Sequence, residues 1–134
     1  MSEHRLMKTP LAGQVLDPGG DRAFVVAEWV DDGSHPGLPI APPHRHVDED
    51  EAWYVLEGRL VVTVGEEELE APAGTAVFGP RGVAHTYTNP DAAPCRYLIV
   101  MQPATAALIE ALHSGSGADP RELFRAHRVE LVDG

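Results

Sequence analysis

Short alternating segments, separated by glycine and proline, run through most of the chain and constrain its fold more than any other feature. Apolar and β-branched residues dominate the stretches "AFVVAEWV", "AWYVLEGRLVVTV" and "CRYLIVM", each long enough for one or two strands. Turn signals lie between them at Gly58, at Gly65 and in residues 71–74, where proline at the second position and glycine at the fourth fit a type I turn. Successive short strands joined by such turns are typical of a small sandwich or barrel. The sequence therefore predicts an all-β fold.

The end of the chain follows a helical pattern instead. Apolar residues recur at helical spacing in "PATAALIEALHS", which begins at residue 103. A second helix is predicted in "DPRELFRAH", where Asp119 can serve as N-cap, Pro120 stands at the first helical position, and Glu122 stands where a capping box needs it. We interpret both helices as short packing elements on the β-domain.

Length and composition limit the number of domains. A chain of 134 residues with 43% hydrophobic residues can bury one core but is too short for two domains of ordinary size. We expect one domain over residues 1–134, with a barrel core at about 22–102 and a helical tail at about 103–134. The lone Cys95 excludes an intrachain disulfide and a multi-thiolate zinc site, and is predicted to be a small core residue.

Charge narrows the classes of partner. The formal net charge is −11 at pH 7, so the surface should repel nucleic-acid backbones and anionic headgroups. The stretch "MSEHRLMKTPLAG" has no apolar signal region, and no window approaches the roughly 18 apolar residues of a membrane span. We therefore expect a cytoplasmic protein with a small-molecule partner, and no nucleic-acid or membrane partner.

The stretch "PHRHVDEDEAWYVLEG" places histidines and carboxylates at the start of a strand. Side chains alternate between the faces of a strand, so His44 and His46 point the same way and their imidazoles can converge on one ion. In the strand that follows, Glu51, Trp53 and Val55 share a face. Because that face carries tryptophan and valine, we predict that it is the interior and that Glu51 points inward.

A third histidine can complete this set. His85 begins the alternating stretch "HTYTN", in which His85, Tyr87 and Asn89 face the same way. Three imidazoles and one carboxylate suit iron, manganese, nickel, copper, cobalt or zinc, and leave coordination positions open for a substrate. The remaining histidines are interpreted as surface or hydrogen-bonded residues: His4, His35, His113 and His127.

These residues resemble the two conserved motifs of the cupin superfamily. The first motif is matched by His44, His46, Glu51 and Gly58. The second is matched by Gly74, Pro80, Gly82, His85 and Asn89. The spacer of fifteen residues, 59–73, is typical of compact microbial cupins. One position departs from the pattern, because Leu38 stands where the first motif has a glycine six positions before His44, and Gly37 lies beside it.

The resemblance implies a single-domain β-barrel of the jelly-roll type, also called a double-stranded β-helix, with short C-terminal helices. It implies one divalent transition metal (Fe, Mn, Ni, Cu, Co or Zn) inside the barrel, bound by His44, His46, Glu51 and His85. Small cupins often pair, through strands or exchanged N-terminal segments, so we expect a homodimer with "AFVVAEWV" as a plausible edge strand.

The function that we expect is a dioxygenase similar to small quercetin-dioxygenase-like cupins. Its substrate would be a small oxygen-rich molecule such as a flavonol, a diketone or a polyketide-like compound, and Glu51 could leave the ion and act as a base. The candidate substrate-binding residues are Trp53, Tyr87, Met101 and Phe24, with Gln102 as a further candidate, and plain core packing is the alternative interpretation for each.

Two other function classes stay open. The site could be a Lewis acid for an isomerase, cyclase or decarboxylase of a polar metabolite, which needs an acid-base pair beyond the ligands, such as Tyr87 or His35. The barrel could also bind a small molecule without turnover. An aromatic content of 6% argues against a large flat substrate, because pockets for such molecules usually have several aromatic walls.

Overall fold

The computed structural model describes residues 15–114 and 117–132 of the chain. In order along these ranges, the secondary-structure elements are β1 (Val15–Leu16), β2 (Val25–Asp31), β3 (Pro39–His46), β4 (Glu51–Glu57), β5 (Arg59–Val64), β6 (Glu67–Pro72), β7 (Ala76–Gly79), β8 (His85–Thr88), β9 (Cys95–Met101), α1 (Pro103–His113), α2 (Pro120–Ala126) and β10 (Val129–Leu131). Neither helix of the described ranges has the length and apolar character that crossing a membrane requires.

The strands form two five-stranded antiparallel sheets. The first sheet has the order β1-β2-β9-β4-β7, and the second has the order β10-β3-β8-β5-β6. Most strands that follow each other in the chain, such as β3 and β4, therefore lie in different sheets, and long-range pairs such as β2 with β9 hold each sheet together. The predicted all-β cupin fold with short C-terminal helices is confirmed.

One apolar core fills the space between the sheets. It combines side chains of the first sheet, including Trp53 and Val55, with side chains of the second sheet, including Leu60 and Val62. Within β4, Glu51, Trp53 and Val55 are buried and alternate with more exposed residues, as the sequence predicted. Cys95 is also buried in this core, and burial raises the pKa of its thiol to about 11.

A tight turn between β4 and β5 explains one motif glycine. Gly58 has φ +75°, a conformation that residues with a side chain rarely adopt. A Cβ atom at this position would lie 2.7 Å from the carbonyl oxygen of Pro94, which is closer than a carbon atom can approach. The turn therefore requires glycine at this position.

The tail contains more than the helices that the sequence predicted. Asp119 is the N-cap of α2 and accepts a hydrogen bond from the backbone N–H of Arg121, as expected. After α2 the chain forms β10, which pairs with β3 and places Val129 opposite His46. The predicted helical tail, at about 103–134, did not include this strand. A three-residue strand is too short to show a period of two, and its formation depends on a partner strand that is distant in sequence.

The predicted edge strand also needs correction. "AFVVAEWV" forms β2, which pairs with β9 along its whole length on one side and with β1 on the other, at Val26 and Ala27. In the described part of the chain, β2 is therefore an inner strand of its sheet rather than the outermost one. The homodimer itself stays a prediction.

Candidate metal centre

Four buried side chains from three strands meet between the two sheets. His44 and His46 lie on β3, His85 is the first residue of β8, and Glu51 is the first residue of β4 in the opposite sheet. Each offers one ligand atom, and these atoms all lie within 4.8 Å of one another. The pairing of β3 with β8 sets His44 directly opposite His85. The fold thus brings together the four residues that the two sequence motifs carry.

Unpartnered polar atoms at this point test whether the residues fit a metal. Glu51 Oε2 lies 3.3 Å from His46 Nε2 and 3.4 Å from His85 Nε2. All three atoms are buried, and none has a hydrogen-bond partner among the described residues. A buried polar atom without a partner costs about 1–3 kcal/mol, so three such atoms around one point indicate that a bound ion or water satisfies them. This cluster fits a cupin metal site.

The protonation states also suit a metal. Burial, together with the neighbouring His85, lowers the pKa of His44 to about 4, so this imidazole is neutral at pH 7. Burial on its own would raise the pKa of Glu51, but contacts with His46 and His85 outweigh it and lower the pKa to about 2. Metal ligands must be neutral imidazoles and ionised carboxylates. His44 and Glu51 take these forms at pH 7 without a bound ion.

A cavity of about 300 Å³ borders the cluster. His44, His46 and Glu51 form part of its lining, and the remainder is mostly apolar. Its aromatic lining consists of Trp29, Tyr87, Tyr97 and Phe124. Its aliphatic lining includes Ile40, Ile99, Leu108, Ile109 and Leu112. Although aromatic residues are only 6% of the chain, the fold gathers several of them around this one space.

The structure brings one of the four predicted substrate-binding residues to this cavity. Tyr87 lines it. Trp53 lies behind the cluster, with its ring 5.1 Å from that of His85, and Met101 is buried on β9 opposite Glu51. Phe24 is 57% exposed and lies with Met101 and Gln102 at a second surface depression, whose lining also includes Glu51. Contact of these residues with a substrate stays a prediction.

Sequence reasoning missed several residues of the cavity lining. Trp29 is partly buried and packs against the core that contains Val25 and Ala27 of the same strand, so the strand period of two was a signal that could have identified it. The helical residues were interpreted only as packing elements, because no pattern in the sequence links α1 and α2 to the histidine motifs. Leu108 on α1 and Phe124 on α2 are buried in a second apolar cluster and also face the cavity.

The histidines outside the motifs have the ordinary roles predicted for them. His35 is exposed beside the Ser34 hydroxyl, and Nδ1 of His127 hydrogen-bonds the carbonyl oxygen of Leu123. His113 is exposed at the end of α1, where its ring contacts the edge of Trp29 at the rim of the cavity. His4 lies outside the described residues.

Solved structures with the same architecture include relatives of this chain. TT1209 from Thermus thermophilus is 31% identical with a TM-score of 0.56, and the match covers 74% of this chain and 91% of that one. SPO2919 from Silicibacter pomeroyi, named as a sugar phosphate isomerase from a cupin superfamily, is 28% identical with a TM-score of 0.54. That match covers 64% of this chain and 54% of the isomerase.

Comparisons of sequence identify further relatives and the family of this chain. Tetracenomycin polyketide synthase protein TcmJ of Streptomyces glaucescens is 35% identical over 60 residues, which is 45% of this chain and 40% of that protein. The chain spans about half the length of the curated relatives it matches. The family model for the cupin domain matches residues 34–101, which is half of the chain and contains all four residues of the buried cluster. The chain belongs to the cupin domain family.

Proposed function

We propose that the protein is a metal-dependent dioxygenase of a small, largely apolar, oxygen-bearing molecule of the flavonol, diketone or polyketide type. The observation that supports this most strongly is the position of the cavity. Its apolar and aromatic lining runs directly up to three of the four candidate ligands, His44, His46 and Glu51. A substrate bound there would direct its oxygen atoms towards the ion that these residues would hold, and its hydrocarbon part would contact the apolar lining.

His44, His46, Glu51 and His85 would hold one divalent ion of Fe, Mn, Ni, Cu, Co or Zn. When bound, such an ion would lower the pKa of a substrate hydroxyl or enol, and a redox-active one would also take part in the reaction with O₂. The chain's own contribution is to hold the neutral imidazole of His44 and the ionised carboxylate of Glu51 in one buried place. With its pKa near 2, Glu51 is better suited to be a ligand than a strong base, and its role as a base stays a prediction.

The cavity also limits the size and polarity of the substrate. A volume of about 300 Å³ lies at the lower end of small-molecule pockets, so a compact molecule such as a diketone or a small flavonol fits better than an extended polycyclic one. Tyr87 and Tyr97 belong to the lining, and burial raises the pKa of both hydroxyls, so both remain neutral at pH 7. The similarity to TcmJ, named as a polyketide synthase protein, supports a polyketide-like substrate.

An isomerase, cyclase or decarboxylase of a polar metabolite is the second candidate. The similarity to SPO2919, named as a sugar phosphate isomerase, favours it. A phosphorylated sugar is normally bound by Arg, Lys or other strong donors, and the described residues that line the cavity include neither Lys nor Arg. This lining is the reason for preferring the dioxygenase. Binding of a small molecule without turnover is the third candidate.

Metal content and oxygen uptake test the proposal together. Untagged protein is analysed by elemental mass spectrometry beside His46→Ala and the matched control His35→Ala, which changes an exposed histidine. We expect about one equivalent of metal in the native protein and the control, and background in His46→Ala. Native protein loaded with Fe²⁺, Mn²⁺, Ni²⁺ or Cu²⁺ is then supplied with flavonols and β-diketones in an oxygen electrode.

Each outcome separates the candidates. Oxygen uptake that depends on both metal and substrate, at one O₂ per product molecule, supports the dioxygenase. Product formation under anaerobic conditions supports the isomerase, cyclase or decarboxylase class and overturns the dioxygenase. Equal binding of substrate by metal-free and metal-loaded protein, with no product, supports the non-enzymatic binding module.

A further inference from the structure

Helix α1 receives its N-terminal cap from a residue more than fifty positions earlier in the chain. The local N-cap residue, Gln102, makes no side-chain capping bond, and its Oε1 instead accepts from the backbone N–H of Asp50. The carboxylate of Glu49, between β3 and β4, accepts hydrogen bonds from the N–H groups of Ala104 and Thr105 at 3.2 and 2.8 Å. The loop that follows the histidine motif therefore holds the start of α1.

The same carboxylate is linked to a candidate metal ligand through one hydroxyl group. Thr105 is 3% exposed, and its Oγ1 donates to Glu49 Oε1 at 2.9 Å. The same Oγ1 lies 3.2 Å from Nδ1 of His46. A hydroxyl can donate only one hydrogen bond, and the hydroxyl of Thr105 donates it to the carboxylate of Glu49. Nδ1 of His46 must therefore donate its own proton to Thr105, which leaves the lone pair of Nε2 directed at the buried cluster.

We propose that Thr105 and Glu49 are positioning residues for His46, and that through them metal binding and the docking of α1 stabilise each other. The inference rests on the metal site of the proposed function. Five residues of α1 line the cavity: Thr105, Leu108, Ile109, Leu112 and His113. Because coupling between two binding events is reciprocal, an ion that fixes His46 also fixes α1 and so orders that side of the cavity.

The other histidines of the cluster lack this connection, which makes the coupling specific to His46. Nδ1 of His44 hydrogen-bonds the carbonyl oxygen of Pro42, which lies two residues away in the same strand. Nδ1 of His85 has no hydrogen-bond partner among the described residues. Within the described part of the chain, the imidazole of His46 is therefore the one that hydrogen bonds connect to a helix.

Zn²⁺ affinity tests the positioning role. Thr105→Val removes the hydroxyl while keeping the shape of the side chain, and Thr105→Ser keeps the hydroxyl. The matched control is Thr75→Val, which removes a hydroxyl that donates to the carbonyl oxygen of Pro72, in a turn away from the cluster. Loss of an outer partner of a metal-bound histidine typically weakens metal affinity by about 10–100-fold. We expect that loss in Thr105→Val, and affinities within about twofold of native in Thr105→Ser and Thr75→Val.

Hydrogen exchange of the amides of α1, with and without Zn²⁺, tests the coupling. We expect Zn²⁺ to slow exchange in α1 of the native protein and of Thr105→Ser, and to leave it unchanged in Thr105→Val saturated with Zn²⁺. A purely structural role of Thr105 would speed exchange with and without the ion to the same extent, and would overturn the coupling. Native affinity in Thr105→Val would overturn the positioning role.

These results are distinguishable from failure of the proposed function. If native protein binds Zn²⁺ but α1 does not respond to it, the coupling fails and the metal site stands. If native protein binds no Zn²⁺ at all, the metal site and the inference that rests on it both fail. If Zn²⁺ binds and slows exchange in α1, but the metal-loaded protein takes up no oxygen with any substrate, the coupling is supported and the proposed dioxygenase activity is not.

Discussion

Two sides of the cavity differ in what they are made of. The strand side carries a buried polar cluster, of which His44, His46 and Glu51 line the cavity and His85 lies outside the lining. The helical side consists of the apolar residues of α1 and α2 that line the cavity, with Leu108 and Phe124 at its centre. The first holds the candidate ligand atoms beside apolar strand residues such as Tyr87 and Ile99, and the second offers apolar surface but no candidate ligand atom. Metal affinity should therefore depend mainly on the strand side, and the helical side should contribute mainly to stability and substrate selectivity.

The first prediction, with the largest expected effect, distinguishes metal binding from the binding of a small molecule in the cavity. His85 belongs to the cluster but is not part of the cavity lining. His85→Ala should weaken Zn²⁺ binding by more than the roughly 100-fold that loss of an outer partner costs, because a ligand itself is removed. Zn²⁺ titration against a competing chelator measures this, with His35→Ala as the control for loss of an exposed histidine.

His85→Ala should still bind small molecules in the cavity. Quenching of tryptophan fluorescence by a small flavonol reports occupancy, because Trp29 belongs to the lining. We expect metal-free His85→Ala and metal-free native protein to bind the flavonol with similar affinity. Zn²⁺ affinity that survives in His85→Ala would contradict the assignment of this histidine as a ligand.

The strand side could be predicted from the sequence, and the helical side could not. His44 and His46 are two residues apart, and alternation along a strand is enough to place their side chains on one face. Glu51 follows from the same rule applied to β4. The association of α1 with this site depends on contacts between residues far apart in the sequence, such as Glu49 with Thr105, and no period within α1 encodes them. The pairing of β10 with β3 was missed for the same reason.

The second prediction concerns the stability supplied by the helical side. Phe124 is 8% exposed and packs with Leu108 and Val129 in a cluster separate from the main core. Phe124→Ala should lower the free energy of unfolding by about 3–5 kcal/mol, because the substitution removes a buried aromatic ring and leaves a cavity. Urea unfolding of metal-free protein measures the loss.

A matched control removes the same side chain from an exposed place. Phe78 on β7 is 60% exposed, so Phe78→Ala should change the stability far less. Zn²⁺ affinity should fall far less in Phe124→Ala than in His85→Ala, since Phe124 supplies no ligand atom and affects the cluster only through its packing with α1 and His44. Equal losses of stability in the two variants would show that the apolar cluster does not hold α2. The expectation that the helical side supplies stability would then be wrong.

The third prediction is a pH dependence that comes from the strand side alone. The pKa of His44 falls from 6.5 to about 4 on folding, so between these values the unfolded chain binds more protons than the native protein. Stability of the metal-free protein should therefore decrease as the pH falls from about 6.5 to 4. The shift corresponds to about 3 kcal/mol, with each unit of pKa worth about 1.4 kcal/mol.

A substitution at His44 isolates this contribution from the other titrating groups. Glu51, whose pKa is lowered from 4.5 to about 2, destabilises the protein on acidification mainly below pH 4.5, so the two windows differ. Urea unfolding at pH 7.0, 5.5 and 4.5 should show a smaller decrease in His44→Gln than in native protein. Parallel curves for the two proteins would show that His44 titrates in the native state as it does in the unfolded chain.

The smallest expected effect concerns how the tail is attached to the strand side. Arg45 on β3 and Glu130 on β10 form an ion pair at 2.9 Å, with 41% and 57% of their side chains exposed. Water and salt screen such a pair, so Glu130→Gln should change the free energy of unfolding by less than about 1 kcal/mol. The neighbouring Val129 is 3% exposed and belongs to the apolar cluster, so Val129→Ala should cost clearly more. If Glu130→Gln were the more damaging of the two, β10 would be held to β3 by charge, and the helical side would depend on ionic strength in a way that its apolar composition does not predict.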